Sequence, residues 1–133
     1  MHIGLLEDDI AIQEMLRLVL QDEGYTVTVY PNADACLNAF FTPPQEQKTD
    51  PIDLLIVDWR LSGSAPGTEV IRRLRKDSSF DSLPIILTTA ATFSNTNELR
   101  KLHVSLLEKP FAVDEVVNMI KDLVQPRTTT GER

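Results

Sequence analysis

The sequence predicts an α/β fold in which five parallel strands form a doubly wound sheet with five flanking helices. Two observations carry this prediction. Short apolar or β-branched runs occur five times along the chain, and segments with helical spacing or helix-capping residues alternate with them. Strands that alternate with helices form a parallel sheet with helices on both faces. The 133 residues suffice for one such domain and are short for two.

The predicted strands are short and rich in Leu, Ile, Val or Thr. In chain order they lie within HIGLL at 2–6, TVTVY at 26–30, DLLIVD at 53–58, LPIILTTA at 83–90, where the strand starts after Pro84, and VSLLEKP at 104–110, where it ends before Glu108. The third contains four consecutive apolar residues, which is typical of a strand buried on both faces of a sheet. The second alternates Thr with Val before Tyr30, and β-branched and aromatic residues favour strands.

Capping residues bound the first two predicted helices. Asp9 is the expected N-cap of a helix that begins at Ile10, and Gly24 is the expected stop of that helix. Asn32 follows the proline that ends the second strand, and it is the expected N-cap of a helix over 33–41. Both helices therefore fill connections between successive strands.

Apolar spacing indicates the third and fifth helices. Val70, Ile71 and Leu74 lie at positions i, i+1 and i+4, which predicts a helix of about two to three turns. The last helix has six apolar residues at helical spacing, namely Val113, Val116, Val117, Ile120, Leu123 and Val124. Residues 94–102 are mostly polar, and we expect a short fourth helix there.

Composition limits the class of protein. The formal net charge of −7 disfavours contact with a phosphate backbone, so we expect no nucleic-acid binding by this domain. No apolar run is long enough to span a membrane, and the N-terminus lacks the layout of a signal peptide. We therefore expect a cytoplasmic protein without membrane contact, with one domain at 1–125 and a flexible tail at 126–133. Cys36 is the single cysteine and should be a small buried hydrophobe.

Polar side chains that can bind ligands or react collect where the predicted strands end. They are Glu7 and Asp8 after the first strand, Asp58 at the end of the third, Thr88 and Thr89 at the end of the fourth, and Lys109 after the fifth. In open parallel sheets, ligands bind outside the carboxyl ends of the strands. We therefore expect these side chains to share one site.

The residue types in this set predict phosphoryl chemistry. Carboxylates crowded at one sheet edge repel one another, and a hard divalent cation with oxygen ligands relieves the repulsion. Mg²⁺ suits such a site because phosphate oxygens and water complete its coordination. A lysine adds a positive charge and a threonine adds a hydroxyl donor. One carboxylate is then available as the nucleophile.

Four stretches, in order and each at a strand end, are similar to those of one family. They are LLEDD at 5–9, DLLIVDWRLSG at 53–63, LPIILTTA at 83–90 and EKPF at 108–111. With these stretches, the chain resembles the receiver domain of bacterial two-component response regulators over about residues 1–124. The resemblance implies a flavodoxin-like, receiver-type fold with strand order 2-1-3-4-5.

The resemblance also implies a metal site and a phosphoryl acceptor. Asp58 would accept the phosphoryl group. Asp8 would bind Mg²⁺ directly and Glu7 through water, Asp58 would be a further ligand, and the backbone carbonyl of Arg60 would complete the protein ligands.

Thr89 and Lys109 have roles by the same resemblance. Thr89 would hydrogen-bond the phosphoryl group, and Lys109 would form an ion pair with it. Composition alone does not separate Thr89 from Thr88, since a buried strand places the two on opposite faces. The bond between Lys109 and Pro110 is expected to be cis.

The function implied is that of a phosphoacceptor signalling module rather than an enzyme acting on a separate substrate. A sensor histidine kinase or phosphotransfer protein would donate the phosphoryl group, and the domain would catalyse only its own phosphorylation and slow autodephosphorylation. A homodimer or a target protein would bind over the last two helices. One alternative is a pseudo-receiver that acts as a phosphorylation-independent binding adaptor. Another is a Mg²⁺-dependent phosphatase, which Arg60 disfavours because such enzymes need a second acid at that position.

One departure from the family lies three residues before Lys109. The family often has an aromatic residue there, and this chain has Leu106. Because leucine gains little from exposure, we expect Leu106 to stay packed against neighbours such as Leu102 and Val117.

Overall fold

The computed structural model of the chain describes residues 1–46, 51–59, 67–89 and 101–124. It contains five strands, β1 (His2–Leu6), β2 (Thr26–Tyr30), β3 (Leu54–Asp58), β4 (Ile85–Thr89) and β5 (Ser105–Glu108). Every neighbouring pair is parallel, and the strand order is β2-β1-β3-β4-β5. The predicted parallel sheet and its order are confirmed.

Four α-helices lie entirely within the described part of the chain. They are α1 (Ile10–Asp22), α2 (Ala33–Phe41), α3 (Gly67–Arg75) and α4 (Val113–Val124). Of the fourth predicted helix, at 94–102, only Lys101 and Leu102 are described, and both are helical. The rest of that helix and the predicted tail at 126–133 lie outside the described residues. No helix in the described ranges is both long enough and apolar enough to cross a membrane.

The predicted caps of the first two helices are confirmed. The side chain of Asp9 accepts a hydrogen bond from the backbone N–H of Ile12 at 3.1 Å. The side chain of Asn32 accepts one from the N–H of Ala35 at 2.8 Å. Gly24 follows α1 with a φ of 94°, a conformation that glycine adopts at little cost.

The core has two parts, one on each face of the sheet. Leu55, Val57 and Leu87 pack under α2 and α3, whereas Ile56 and Ile86 pack under α1 and α4. This alternation along β3 and β4 follows from the two-residue period of a strand. Cys36 is fully buried in the first of these clusters, as predicted from the sequence.

The expectation that Leu106 stays packed against its neighbours is wrong. Its side chain is 37% exposed, whereas the adjacent Leu107 is buried with Val116 and Ile120 beneath α4. Because successive side chains in a strand point to opposite faces, only one of the two leucines can enter that cluster. β5 is an edge strand with a neighbour on one side, so the other leucine remains partly open to solvent.

Candidate functional site

Three of the predicted residues meet at the carboxyl edge of the sheet. Glu7 directly follows β1, Asp58 ends β3, and Lys109 directly follows β5. The Nζ atom of Lys109 lies 3.1 Å from Oδ1 of Asp58 and 3.6 Å from Oε1 of Glu7. Glu7 is 2% exposed and Asp58 is 5% exposed, so one ammonium group is shared between two buried carboxyl groups.

An acidic cluster that could hold a metal ion lies at the same edge. Glu7, Asp8 and Asp58 each offer a carboxylate oxygen, and the three oxygens lie within 4.8 Å of one another. An all-oxygen set of this kind suits a hard divalent cation, which would relieve the repulsion between the carboxylates. The side chains therefore fit the metal predicted from the sequence. Arg60, whose carbonyl was expected to be a further ligand, lies outside the described residues.

The burial of Glu7 makes its charged form costly. Desolvation raises the pKa of Glu7 to about 7, and the negative charge of Asp58 acts in the same direction. The N–H of Asp9, which donates to Oε2 of Glu7 at 3.2 Å, opposes this rise, as does Lys109. The side-chain amide of Gln13 also holds the backbone carbonyl of Glu7. Without a cation, Glu7 therefore keeps its proton to a higher pH than an exposed glutamate does.

A glycine allows α3 to begin beside the acceptor strand. The N–H of Gly67 donates to the carbonyl of Trp59 at 2.9 Å, and the N–H of Trp59 donates to the carbonyl of Thr88 at 2.8 Å. A Cβ atom on Gly67 would lie well inside 3.0 Å of the carbonyl oxygen of Asp58. The predicted helix rests on the apolar spacing of Val70, Ile71 and Leu74, which does not reveal this contact. The signal for it was a glycine just before the apolar pattern of the helix, but close approach to a distant backbone is not visible in such a pattern.

The strand register separates the two threonines. Thr88 is the Cα partner of Asp58, and the alternation of the core residues places both on the α1/α4 side of the sheet. Thr89 lies one residue closer to the carboxyl edge, on the other face, and is 1% exposed. Its carbonyl accepts the N–H of Lys109 at 2.7 Å. Thr89 is therefore joined to Lys109 by a backbone hydrogen bond. The peptide bond between Lys109 and Pro110 is cis, as expected.

Comparison with known proteins decides the family. The chain matches the response regulator receiver domain over residues 3–121. The chain belongs to this family. The phosphorylation-independent adaptor considered from the sequence has no support in this match or in the site, where the buried acids and the lysine are all present.

Two curated relatives and one solved structure show the extent of the similarity. This receiver domain is 32% identical over 134 residues to the uncharacterized transcriptional regulatory protein YkoG of Bacillus subtilis, covering 98% of this chain and 54% of that protein. It is 32% identical to the phosphate regulon transcriptional regulatory protein PhoB of Rhizobium meliloti, covering 92% and 52%. The response regulator TrrA of Thermotoga maritima, solved in complex with Mg²⁺ and BeF, is 28% identical with a TM-score of 0.77, covering 92% and 98%. The chain thus spans about half the length of the curated relatives it matches.

Proposed function

We propose that this receiver domain accepts a phosphoryl group on Asp58 from a phosphohistidine of a sensor histidine kinase or phosphotransfer protein. The observation that carries the proposal is the position of Asp58. It is a buried carboxylate 3.1 Å from the ammonium group of Lys109, and it shares a cluster of oxygens with Glu7 and Asp8. A nucleophile, a cation site and a countercharge for phosphate oxygens are thereby combined.

The transfer exchanges one bond for another. A carboxylate oxygen of Asp58 forms a bond to phosphorus, and the bond from phosphorus to the imidazole nitrogen of the donor breaks. The imidazole leaves with the electron pair and is then protonated. Lys109 in the free domain pairs with Asp58 and Glu7, and its ammonium group would pair with the incoming phosphoryl oxygens instead. A point charge of this kind stabilises negative charge that develops on those oxygens.

Mg²⁺ is the proposed cofactor. The residues that would hold it are Glu7, Asp8 and Asp58, together with the backbone carbonyl of Arg60. When bound, Mg²⁺ screens the charge of the carboxylates and of the phosphoryl group. The structure of TrrA, which has the same fold, was solved in complex with Mg²⁺, and this supports the choice of metal.

Thr89 is the proposed hydroxyl donor to the phosphoryl group. It lies at the carboxyl edge of β4, one residue beyond the partner of Asp58, and its carbonyl is bonded to the N–H of Lys109. A hydroxyl that moves toward the phosphoryl oxygens would therefore move with the backbone next to Lys109. Thr88 is the residue from which this role must be distinguished.

An apolar groove beside the site supports a protein as the donor. The groove has a volume of about 380 Å³ and is lined by Ile12, Met15, Lys109, Pro110 and Phe111. It joins α1 to the segment after β5, and Lys109 belongs both to the groove and to the acidic site. An apolar helix face beside a donor histidine would fit there while its imidazole approaches Asp58.

We propose that the surface that binds a second copy or a target protein lies over the last two predicted helices, of which α4 is the second. Leu106 on β5 and Val113 and Val124 on α4 are exposed apolar side chains in this region. A second copy of the domain or a target protein would cover them. The conformational change that follows phosphorylation would alter this surface.

Phosphorylation by a small donor tests the proposal. The domain is incubated with Mg²⁺ and acetyl phosphate, and intact mass is measured. We expect one phosphate adduct in the wild type and in Asp53→Asn, and none in Asp58→Asn. Asp53 is a suitable control because it lies before β3, where its carboxylate accepts the N–H of His2 at 2.7 Å and asparagine can do the same. A wild type without an adduct would favour the adaptor alternative.

A further inference from the structure

Arg75 joins the end of α3 to two other segments of the chain through their backbone carbonyls. It ends α3, and its guanidinium group donates to the carbonyl of Leu102 at 2.8 Å and to that of His103 at 2.9 Å. It also donates to the carbonyls of Phe80 and Asp81 in the turn after α3. The planar guanidinium has five donors in a fixed fork, so one side chain can hold several acceptors at once.

The turn held by Arg75 has an unusual backbone. His103 has a φ of 56°, and among the described residues it is the one non-glycine residue with a positive φ. This left-handed conformation costs energy for residues with a Cβ atom. His103 also directly follows the helical residues Lys101 and Leu102, where carbonyls lack partners from a further helical turn. Arg75 satisfies two such carbonyls and holds the chain in the left-handed turn.

The strand that follows this turn has few anchors of its own. β5 has four residues and, within the described part of the chain, pairs only with β4. Of its side chains, only Leu107 is buried. Lys109 comes directly after the strand, so the position of its ammonium group depends on where β5 begins and ends. The hydrogen bonds from Arg75 to Leu102 and His103 hold the chain just before the beginning of β5.

The other end of α3 lies against the acceptor residue. Gly67 begins the helix in contact with the backbone of Asp58, and Arg75 ends it. Nine helical residues span about 13 Å, with a rise of about 1.5 Å per residue. α3 therefore connects the backbone of Asp58 at one end to the turn before β5 at the other.

We infer that Arg75 is a positioning residue for Lys109, acting through the left-handed turn at His103 and the strand β5. This inference rests on the proposed function, because Lys109 matters through the phosphoryl group it pairs with. α3 is then a rigid link that sets the distance between the nucleophile and its countercharge. Loss of the fork would let β5 shift and move Lys109 away from the incoming phosphoryl oxygens.

The test compares Arg75→Met with Arg73→Met. Arg73 lies on the same helix, its side chain is 58% exposed, and it pairs with Glu69 at 3.6 Å. Two readouts are taken: the rate of phosphorylation by acetyl phosphate at saturating donor, and the affinity for Mg²⁺ by calorimetric titration with the metal alone. We expect Arg75→Met to lower the rate about ten-fold, within the loss of up to about 100-fold that a misplacement of about 1 Å can cause. Its affinity for Mg²⁺ should be unchanged or higher, because the metal ligands stay in place and Lys109 no longer competes. Arg73→Met should match the wild type in both.

A second substitution separates positioning from general stability. Glycine at position 103 adopts a positive φ without strain, so His103→Gly in the Arg75→Met background should restore most of the rate. If Arg75→Met does not fold, Arg75→Lys keeps the stem and the charge but loses the fork, and the same readouts apply to it. A normal rate, an equal loss of rate and of affinity for Mg²⁺, or no rescue by glycine would each overturn the inference. A wild type that is not phosphorylated would instead refute the proposed function.

Discussion

Gly67 begins α3 directly against the carbonyl oxygen of Asp58, in a space that a Cβ atom cannot enter. The contact joins the first turn of a helix to the backbone of the proposed phosphoryl acceptor. It places the start of α3 against the end of β3. The geometry of the acceptor therefore depends on a residue that has no side chain.

Gly67→Ala should both destabilise the domain and slow its phosphorylation. Forcing a methyl group into this contact costs about 1–3 kcal/mol and shifts α3 or the end of β3. Gly24→Ala is the control, since nothing lies within 4 Å of its Cβ position and its φ of 94° imposes backbone strain alone. Both variants should unfold at lower urea concentration, but only Gly67→Ala should accept phosphate more slowly. Equal rates for the two variants would argue against a role for the contact in placing Asp58.

Mg²⁺ should stabilise the folded domain. The fold brings Glu7, Asp8 and Asp58 together, the unfolded chain does not, and a ligand selective for the folded state adds stability as its concentration rises. The melting temperature should increase with Mg²⁺ in the wild type and much less in Asp8→Asn. Asp9→Asn is the matched control, because Asp9 caps α1 and asparagine caps equally well. An undiminished response in Asp8→Asn would remove Asp8 from the metal site.

The metal-free domain should lose stability as the pH rises toward neutral. Burial raises the pKa of Glu7 from 4.5 to about 7, so between these values the folded state keeps a proton that the unfolded chain has released. The free energy of unfolding should therefore fall through this window, by at most about 3 kcal/mol from Glu7. Urea unfolding with a chelator at about pH 5 and about pH 8 measures the change. Glu7→Gln should remove this contribution and the exposed Glu14→Gln should keep it; parallel profiles for Glu7→Gln and the wild type would contradict the assignment.

Thr89 and Thr88 should differ in their effect on phosphorylation. Both are buried, so valine at either position removes a hydroxyl from a similar environment. Thr89→Val should slow the reaction with acetyl phosphate, since it removes the proposed donor to the phosphoryl oxygens. Thr88→Val should leave the rate near that of the wild type. The opposite order would assign the donor to Thr88, which shares the register position and sheet face of Asp58.

The sequence predicts the regular elements well because their signals are local. The apolar run that ends at Asp58 and the caps Asp9 and Asn32 each depend on residues a few positions apart, and the structure confirms them. The meeting of Glu7 with Lys109 was also predictable, since parallel strands bring their carboxyl ends to one edge.

Other features depend on contacts that no local pattern encodes. Arg75 bonds to carbonyls 27 and 28 positions away, and in the sequence it is one of several basic residues at the end of a helix. Which of Leu106 and Leu107 enters the core depends on the face of β5 to which each side chain points, and two adjacent leucines in the sequence do not determine this. Gly67 is a further case, because its importance lies in the backbone of Asp58 that it touches.

The most direct test of the account is to locate the phosphoryl group in the chain. After reaction with Mg²⁺ and acetyl phosphate, the acyl phosphate is reduced with borohydride and the reduced residue is found by peptide mapping. Reduction at Asp58 alone is expected, because its carboxylate ends β3 within the acidic cluster and lies 3.1 Å from Nζ of Lys109, nearer than that of Glu7 at 3.6 Å. Reduction at Asp53, Asp8 or Asp9, with Asp58 unchanged, would contradict the proposed acceptor and the site built around it.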